Sequence, residues 1–140
     1  MGKRWFATGI LLIISWYTFA AVPPTAALKA FDVKFKNATT VNWGKEGPKV
    51  WEAEFNFEGS RISANFAEDG TWLETERIIK TEELPPAVLK AIKANFPDWK
   101  IIEADKTETL KHGLIYEANL KKGLSKKDVA FKEDGTPVSE

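Results

Sequence analysis

Two stretches of this chain nearly repeat one another. Phe66 to Trp72 reads FAEDGTW, and Phe131 to Pro137 reads FKEDGTP, 65 residues further on. At the same offset WEAEF (51–55) lies over YEANL (116–120), and from Trp51 to Thr71 8 of 21 positions are identical. Upstream, PTAALKAFDVKF (24–35) lies over PPAVLKAIKANF (85–96), now 61 apart, so the second copy carries four extra residues before YEANL. Self-similarity of this kind reads as an internal duplication. Two copies are too few for a solenoid. They suit one domain, residues 21–140, built from two similar halves at about 24–80 and 84–139.

Each half presents the same order of signals. A helical stretch comes first, with Leu28, Phe31 and Phe35 on one stripe and Val88, Leu89, Ile92 and Phe96 on its counterpart. Pro24, and Pro85 with Pro86, stand where helices start, because a missing N–H costs nothing there. Pro97 ends the second helix by disfavouring helical geometry at Phe96. Strands follow. In VWEAEFNF the apolar Trp51, Ala53, Phe55 and Phe57 alternate with Glu52, Glu54 and Asn56, the mark of a half-buried strand. RISANF, TWLETERII, LIYEANL and KKDVAF read as further strands, with hairpin turns at Glu58-Gly59-Ser60, Glu68-Asp69-Gly70 and Glu133-Asp134-Gly135. A preliminary strand precedes each meander, at 39–43 and 99–104, and a short PVS closes the second.

The expected fold is therefore α+β: two duplicated helix-plus-antiparallel-meander halves, about four strands each, forming one curved sheet with both helices on one face. Ala53 and Ala118 take equivalent inward positions, where a small side chain lets a helix approach. The other face is expected to be polar, carrying Glu52, Glu54, Asn56, Ser63, Asn65, Glu117, Asn119 and Lys121.

The first residues have their own pattern. Lys3 and Arg4 precede an uncharged run from Trp5 to Phe19, and small residues lead up to Ala21. This is the layout of a secretory signal peptide over residues 1–20. An uncleaved anchor is the alternative, although the run is shorter than the roughly 20 apolar residues a spanning helix needs. Cleavage would remove two of the 20 basic side chains and none of the 20 acidic ones, for a formal net charge of −2. Such a domain lacks the basic footprint that nucleic acid requires. The absence of cysteine excludes disulfides, thiolate metal sites and a cysteine nucleophile. The expected location is periplasmic or secreted.

The ordered set of motifs carries a resemblance. WEAEF, FAEDGTWLETE, LPPAVLKAIKANFP, YEANL and FKEDG occur in the order seen in the PepSY-like, beta-lactamase-inhibitor-protein-like exported domains of Bacteroidetes-type bacteria. The chain resembles that family from about Pro24 to Val138. Two departures stand out: the first helix ends KFKNA, without a counterpart of Pro97, and the last strand is very short. The resemblance implies an inhibitor-like fold and a binding role.

No motif for catalysis is present. His112, the only histidine, stands beside Gly113 in an expected loop and has no partners at recognisable spacing. The acids of the two EDG turns suit turn chemistry better than a calcium loop. Glu52 and Glu54 share one strand face and read as solvated acids rather than an acid/base pair. LKKGLSKK (120–127) reads as a solubilising edge. No cofactor is expected. Trp72 has two readings: an exposed anchor beside Glu74, Glu76 and Arg77, or a cap on the core at the sheet edge.

The functional expectation is a non-catalytic binding module. It would engage or inhibit a cell-envelope protein or peptide through the open sheet face, with Trp43, Trp72, Glu52, Glu54 and Arg77 as contact residues. The alternative is a small-ligand carrier or sensor with an apolar pocket between sheet and helices.

Overall fold

The computed structural model describes residues 22–138; the expected leader at 1–20 lies outside them. Helix α1 (Thr25–Lys34) is followed by β1 (Thr39–Gly47), β2 (Val50–Phe57), β3 (Ser60–Ala67) and β4 (Trp72–Ile79). A 3-10 turn, Thr81–Glu83, leads into α2 (Pro86–Asn95), and then β5 (Lys100–Thr109), β6 (Gly113–Lys122) and β7 (Ser125–Phe131). The strands form one seven-stranded sheet in chain order, with every neighbouring pair antiparallel. β4 and β5 join the two runs of elements, pairing from Glu74↔Thr109 to Ile79↔Ala104. The expected α+β class with both helices on one side of an antiparallel sheet is what the chain adopts.

Alternation explains the sidedness. Ala53, Phe55, Ile62, Ala64 and Phe66 meet Ala27, Phe31 and Phe35 of the first helical segment. Ala104, Tyr116, Ala118, Leu120 and Phe131 meet Val88 and Ile92 of α2. Phe31 and Phe35 stand over Phe55 with ring centroids 4.8 and 4.6 Å apart. Ala53 and Ala118, 0% and 1% exposed, leave room for this approach. Leu84, brought in by the 3-10 turn, adds to the second cluster.

The repeated EDG turn is a helix-docking device. Asp69 Oδ1 accepts a hydrogen bond from Thr71 N–H at 2.9 Å, and Asp134 Oδ1 one from Thr136 N–H at 2.8 Å. Gly70 has φ +89° and Gly135 φ +82°, a region that disfavours side chains. A Cβ on Gly70 would also lie 2.7 Å from the Ala26 carbonyl oxygen, and one on Gly135 2.6 Å from that of Ala87. Each glycine thus makes the turn and seats the first turn of its helix.

Two expectations need correction. The second run has three full strands; its fourth is a single bridge, Phe131↔Pro137, extended by Val138 N–H donating to the Ala130 carbonyl. Pro137 has no N–H to continue a ladder, and Ser139, the last residue of the expected strand, lies outside the described ones. The preliminary strands are also longer than expected, because β1 and β5 pair along nearly their full length.

Gly70→Ala and Gly135→Ala should each destabilise the fold by roughly 2–4 kcal/mol, combining overpacking with a disfavoured φ. Gly59→Ala, with φ +78° but open space around it, should lose less. Urea unfolding of the three variants measures the difference.

Candidate functional site: the acidic face of the sheet

The face away from the helices is built by the polar half of each strand's alternation. Glu52, Asn65, Glu74 and Thr109 lie side by side across β2 to β5. Glu54, Ser63, Glu76, Thr107 and Ile115 form the next row. Asp105, Glu117 and Ala130 follow, and then Glu103, Asn119 and Asp128. The carboxylates descend obliquely from β2 towards β7. Among the described residues the cations near this face are few: Arg61 is tied to Glu54 Oε2 at 2.9 Å and to the Thr40 carbonyl at 2.9 Å, Lys111 borders the cavity beside Glu74 and Glu117, and Lys121 and Lys126 pair at the far corner.

These acids are crowded and partly withdrawn from water. Burial pushes the Glu76 carboxyl up to about 8, reinforced by Glu74, Glu117, Asp105 and Glu52. Burial and then Glu46, Glu54 and Glu74 raise Glu52 to about 7, against a hydrogen bond with Ser63. Asp105 is raised to about 7 by burial, then by Glu103 and Glu117. Glu117 is raised by burial against a 2.7 Å hydrogen bond donated by Thr107 Oγ1. Burial also raises Asp128, opposed by Lys126, and Glu46, where Glu74 adds repulsion.

Two carboxamides complete the face. Asn65 Nδ2 donates to Glu74 Oε1 at 2.7 Å, while its Oδ1 is buried with no partner. Asn119, 4% exposed, also has an unpartnered buried Oδ1. The face therefore offers hydrogen-bond acceptors far in excess of donors.

The expected contact residues divide. Glu52 and Glu54 lie on this face. Trp43 does not: it pairs with Ala53 on the helix side and packs 5.4 Å from Phe31 and 5.9 Å from Phe66. Trp72 caps the core instead of standing exposed beside Glu74 and Glu76. A register shift in the β3–β4 pair places Asn65 opposite Glu74 but Phe66 opposite Trp72, so three residues of β4 span two of β3. This bulge turns Trp72 to the helix side, where Nε1–H donates to Thr75 Oγ1 at 2.9 Å and Lys34 Nζ lies 3.9 Å from the ring centroid. Arg77, opposite Lys106 and in line with Tyr116, is on the helix side too. Trp51 is buried, and Trp99 packs against the second core cluster. Aromatic anchoring on the open face is therefore set aside, because the tryptophans belong to the other side.

Between helices and sheet the interlocking rings fill the first core cluster. A cavity of about 860 Å³ opens beside the acidic face, lined by its Glu74, Glu117 and Asp128 together with Leu110, Ile115 and Phe131, and reaches the end of α2 only at Asn95 and Phe96. His112 sits in the β5–β6 turn, its backbone N–H held by Thr109 Oγ1 at 2.9 Å. Among the described residues, no group of three or more His, Asp or Glu side chains is arranged to hold a metal ion, and no helix is long and apolar enough to cross a membrane.

The family described as "Putative beta-lactamase-inhibitor-like, PepSY-like" matches residues 49–136. The chain belongs to this PepSY-like family. A BLIP-like protein from Bacteroides fragilis superposes with a TM-score of 0.72 at 25% identity, over 85% of this chain and 86% of that one. A DUF2874 family protein from Bacteroides ovatus gives a TM-score of 0.74 at 19% identity, over 85% and 86%. A structure from Bacteroides eggerthii, described as one of the "putative periplasmic proteins", gives 0.73 at 19%, over 85% and 88%. No curated protein matches the sequence. The resemblance carried by WEAEF and the EDG turns thus identifies the family. Its inhibitor-like description fits a binding domain rather than an enzyme.

The raised acids set the pH dependence of stability. Their folded pKa values exceed their unfolded ones, so the folded state binds more protons. Stability linked to them is complete below the ordinary carboxylate range and is lost as pH rises through about 7 to about 8. The melting temperature should be higher near about pH 5.5 than near about pH 8.5. Glu76→Gln should raise it at the alkaline end and leave the acidic end little changed, as read by circular dichroism melts. A flat profile would show that water reaches these carboxylates freely.

Proposed function

We propose that the chain is an exported, non-catalytic binding module that engages a cell-envelope protein, and holds it in an inhibitor-like manner, through the sheet face opposite the helices. In the same reading, the two runs of elements are copies of one duplicated unit. The observation that carries the proposal is the bare acidic face itself. It is formed by one continuous antiparallel sheet and is rich in acceptors, among them two buried carboxamide oxygens without partners. Membership of an inhibitor-like family supports a binding role. Glu52 and Glu54 remain contact residues in this scheme. Trp43, Trp72 and Arg77 act on the helix side, so any effect of theirs on binding would run through the fold.

A second reading, capture of a small apolar ligand, is favoured only by the cavity of about 860 Å³ near Leu110 and Ile115. That cavity is lined by acidic-face residues Glu74, Glu117 and Asp128 as well as by Phe96, Val129 and Phe131 of the second core cluster, so it is not the purely apolar pocket between sheet and helices that was expected.

A photo-crosslinking amino acid at Ser63 should capture a defined envelope protein in living cells, whereas the same group at Asp32, on the exposed side of α1, should not. Equal labelling from both positions, or none from Ser63, would overturn the proposal. Trp72→Ala should keep the Ser63 adduct while losing roughly 1–3 kcal/mol of stability, because it removes half-buried packing.

A further inference from the structure

We infer that the occupant of the acidic face is an extended basic segment of another protein, about seven or eight residues long, lying obliquely from β3 to β6. The inference rests on the docking reading above and specifies the chemistry of the partner.

Three observations converge. The first is position. Asn65 and Asn119 stand towards the two ends of the acid stripe, next to Glu52 and Asp128, with Glu74, Glu76, Asp105 and Glu117 between them. β3 and β6 are three strand spacings apart, about 14 Å, and the two rows are about 20 Å apart along the strands. The diagonal is on the order of 25 Å, the span of seven or eight residues at about 3.3 Å each.

The second is unmet hydrogen-bonding capacity. Asn65 is 9% exposed and Asn119 4%, and the Oδ1 of each lacks a donor. Buried acceptors without partners are uncommon. Each leaves hydrogen-bonding capacity that the described residues do not meet.

The third is charge. Among the described residues, Arg61 is already tied to Glu54, Lys121 and Lys126 lie in the corner beyond Asn119, and Lys111 borders the cavity beside Glu74 and Glu117, so the acids of the stripe outnumber the cations around them. Arginine carries five donors and no acceptor, and lysine three donors and no acceptor, which is the complement of this surface. A single metal ion fits less well, because the acids are strung along a diagonal and form no three-membered cluster.

The test uses the peptide acetyl-(Arg-Ser)4-amide, whose alternate side chains face one way, titrated into the folded domain and followed by amide NMR. The expected shifts centre on Asn65, Glu76, Asp105, Glu117 and Asn119, including the side-chain amides of both asparagines. Affinity should fall at least about tenfold between about 20 and 200 mM NaCl, as screening predicts. The peptide acetyl-(Glu-Ser)4-amide should not bind. Glu76→Gln with Glu117→Gln, which removes repulsion and so should still fold, should weaken the arginine peptide at least about tenfold.

Shifts confined to other surfaces, or affinity unchanged in that double variant, would overturn the inference. So would self-association of the domain that the same double variant abolishes, since the occupant would then be a second copy, offering its own lysine hairpin. Competition separates this inference from the docking reading. If Ser63 captures a protein and the arginine peptide fails to displace it, docking stands and the basic segment fails. If Ser63 captures nothing and the peptide does not bind, both fail.

Discussion

The structure depends on how closely two short helices can lie on one side of a sheet. That closeness comes from absent side chains. Gly70 and Gly135 admit the carbonyls of Ala26 and Ala87, and Ala53 and Ala118 lie buried under the helix layer. Each helix has only ten residues, too short to persist alone in water. It exists because Phe31 and Phe35, or Val88 and Ile92, reach the sheet. With no disulfide to help, burial of these groups is the main source of stability.

Both helices lie on the same side because β4 and β5 pair without a register shift from Glu74↔Thr109 to Ile79↔Ala104, so the inward parity of one run carries into the other. The opposite face is left without a layer of its own. Its acids are brought together across strands, as at Asp105 and Glu117, and by the two-residue repeat along β2, β4 and β5. Neutrality of the whole chain hides this, because the lysines lie mostly on the helices, hairpins and outer edge. A net charge close to zero thus coexists with one strongly acidic surface. The raised acidities of Glu52, Glu76 and Asp105 express its self-repulsion and partial dehydration. A domain stabilised for folding alone gains nothing from such a surface, which is why it is the natural place for a partner.

Much of this was legible in the residues. The 65-residue echo located the turns, the proline positions marked the helix starts, and alternation assigned Ala53, Phe55, Phe66, Tyr116 and Ala118 to the core. The polar parity of Glu52, Glu54, Asn65, Glu117 and Asn119 was also correct. Trp72 was the instructive failure of one of its two readings. Simple alternation grouped it with Glu74 and Glu76, but the bulge beside the EDG turn reverses parity at that point. The sequence hint was the tryptophan itself, a large apolar group next to a turn that seats a helix. Glu76 and Asp105 went unrecognised as site residues, since their crowding arises across strands.

The sequence by itself determined the elements, their sidedness and the family, because these follow from local periodicity, turn chemistry and ordered motifs. Only the tertiary structure decided which carboxylates stand together, where the tryptophans point and which carboxamides lack partners. Those are consequences of register and strand order. A one-residue shift in pairing sends a side chain to the other face, and no single strand records what its neighbours place beside it.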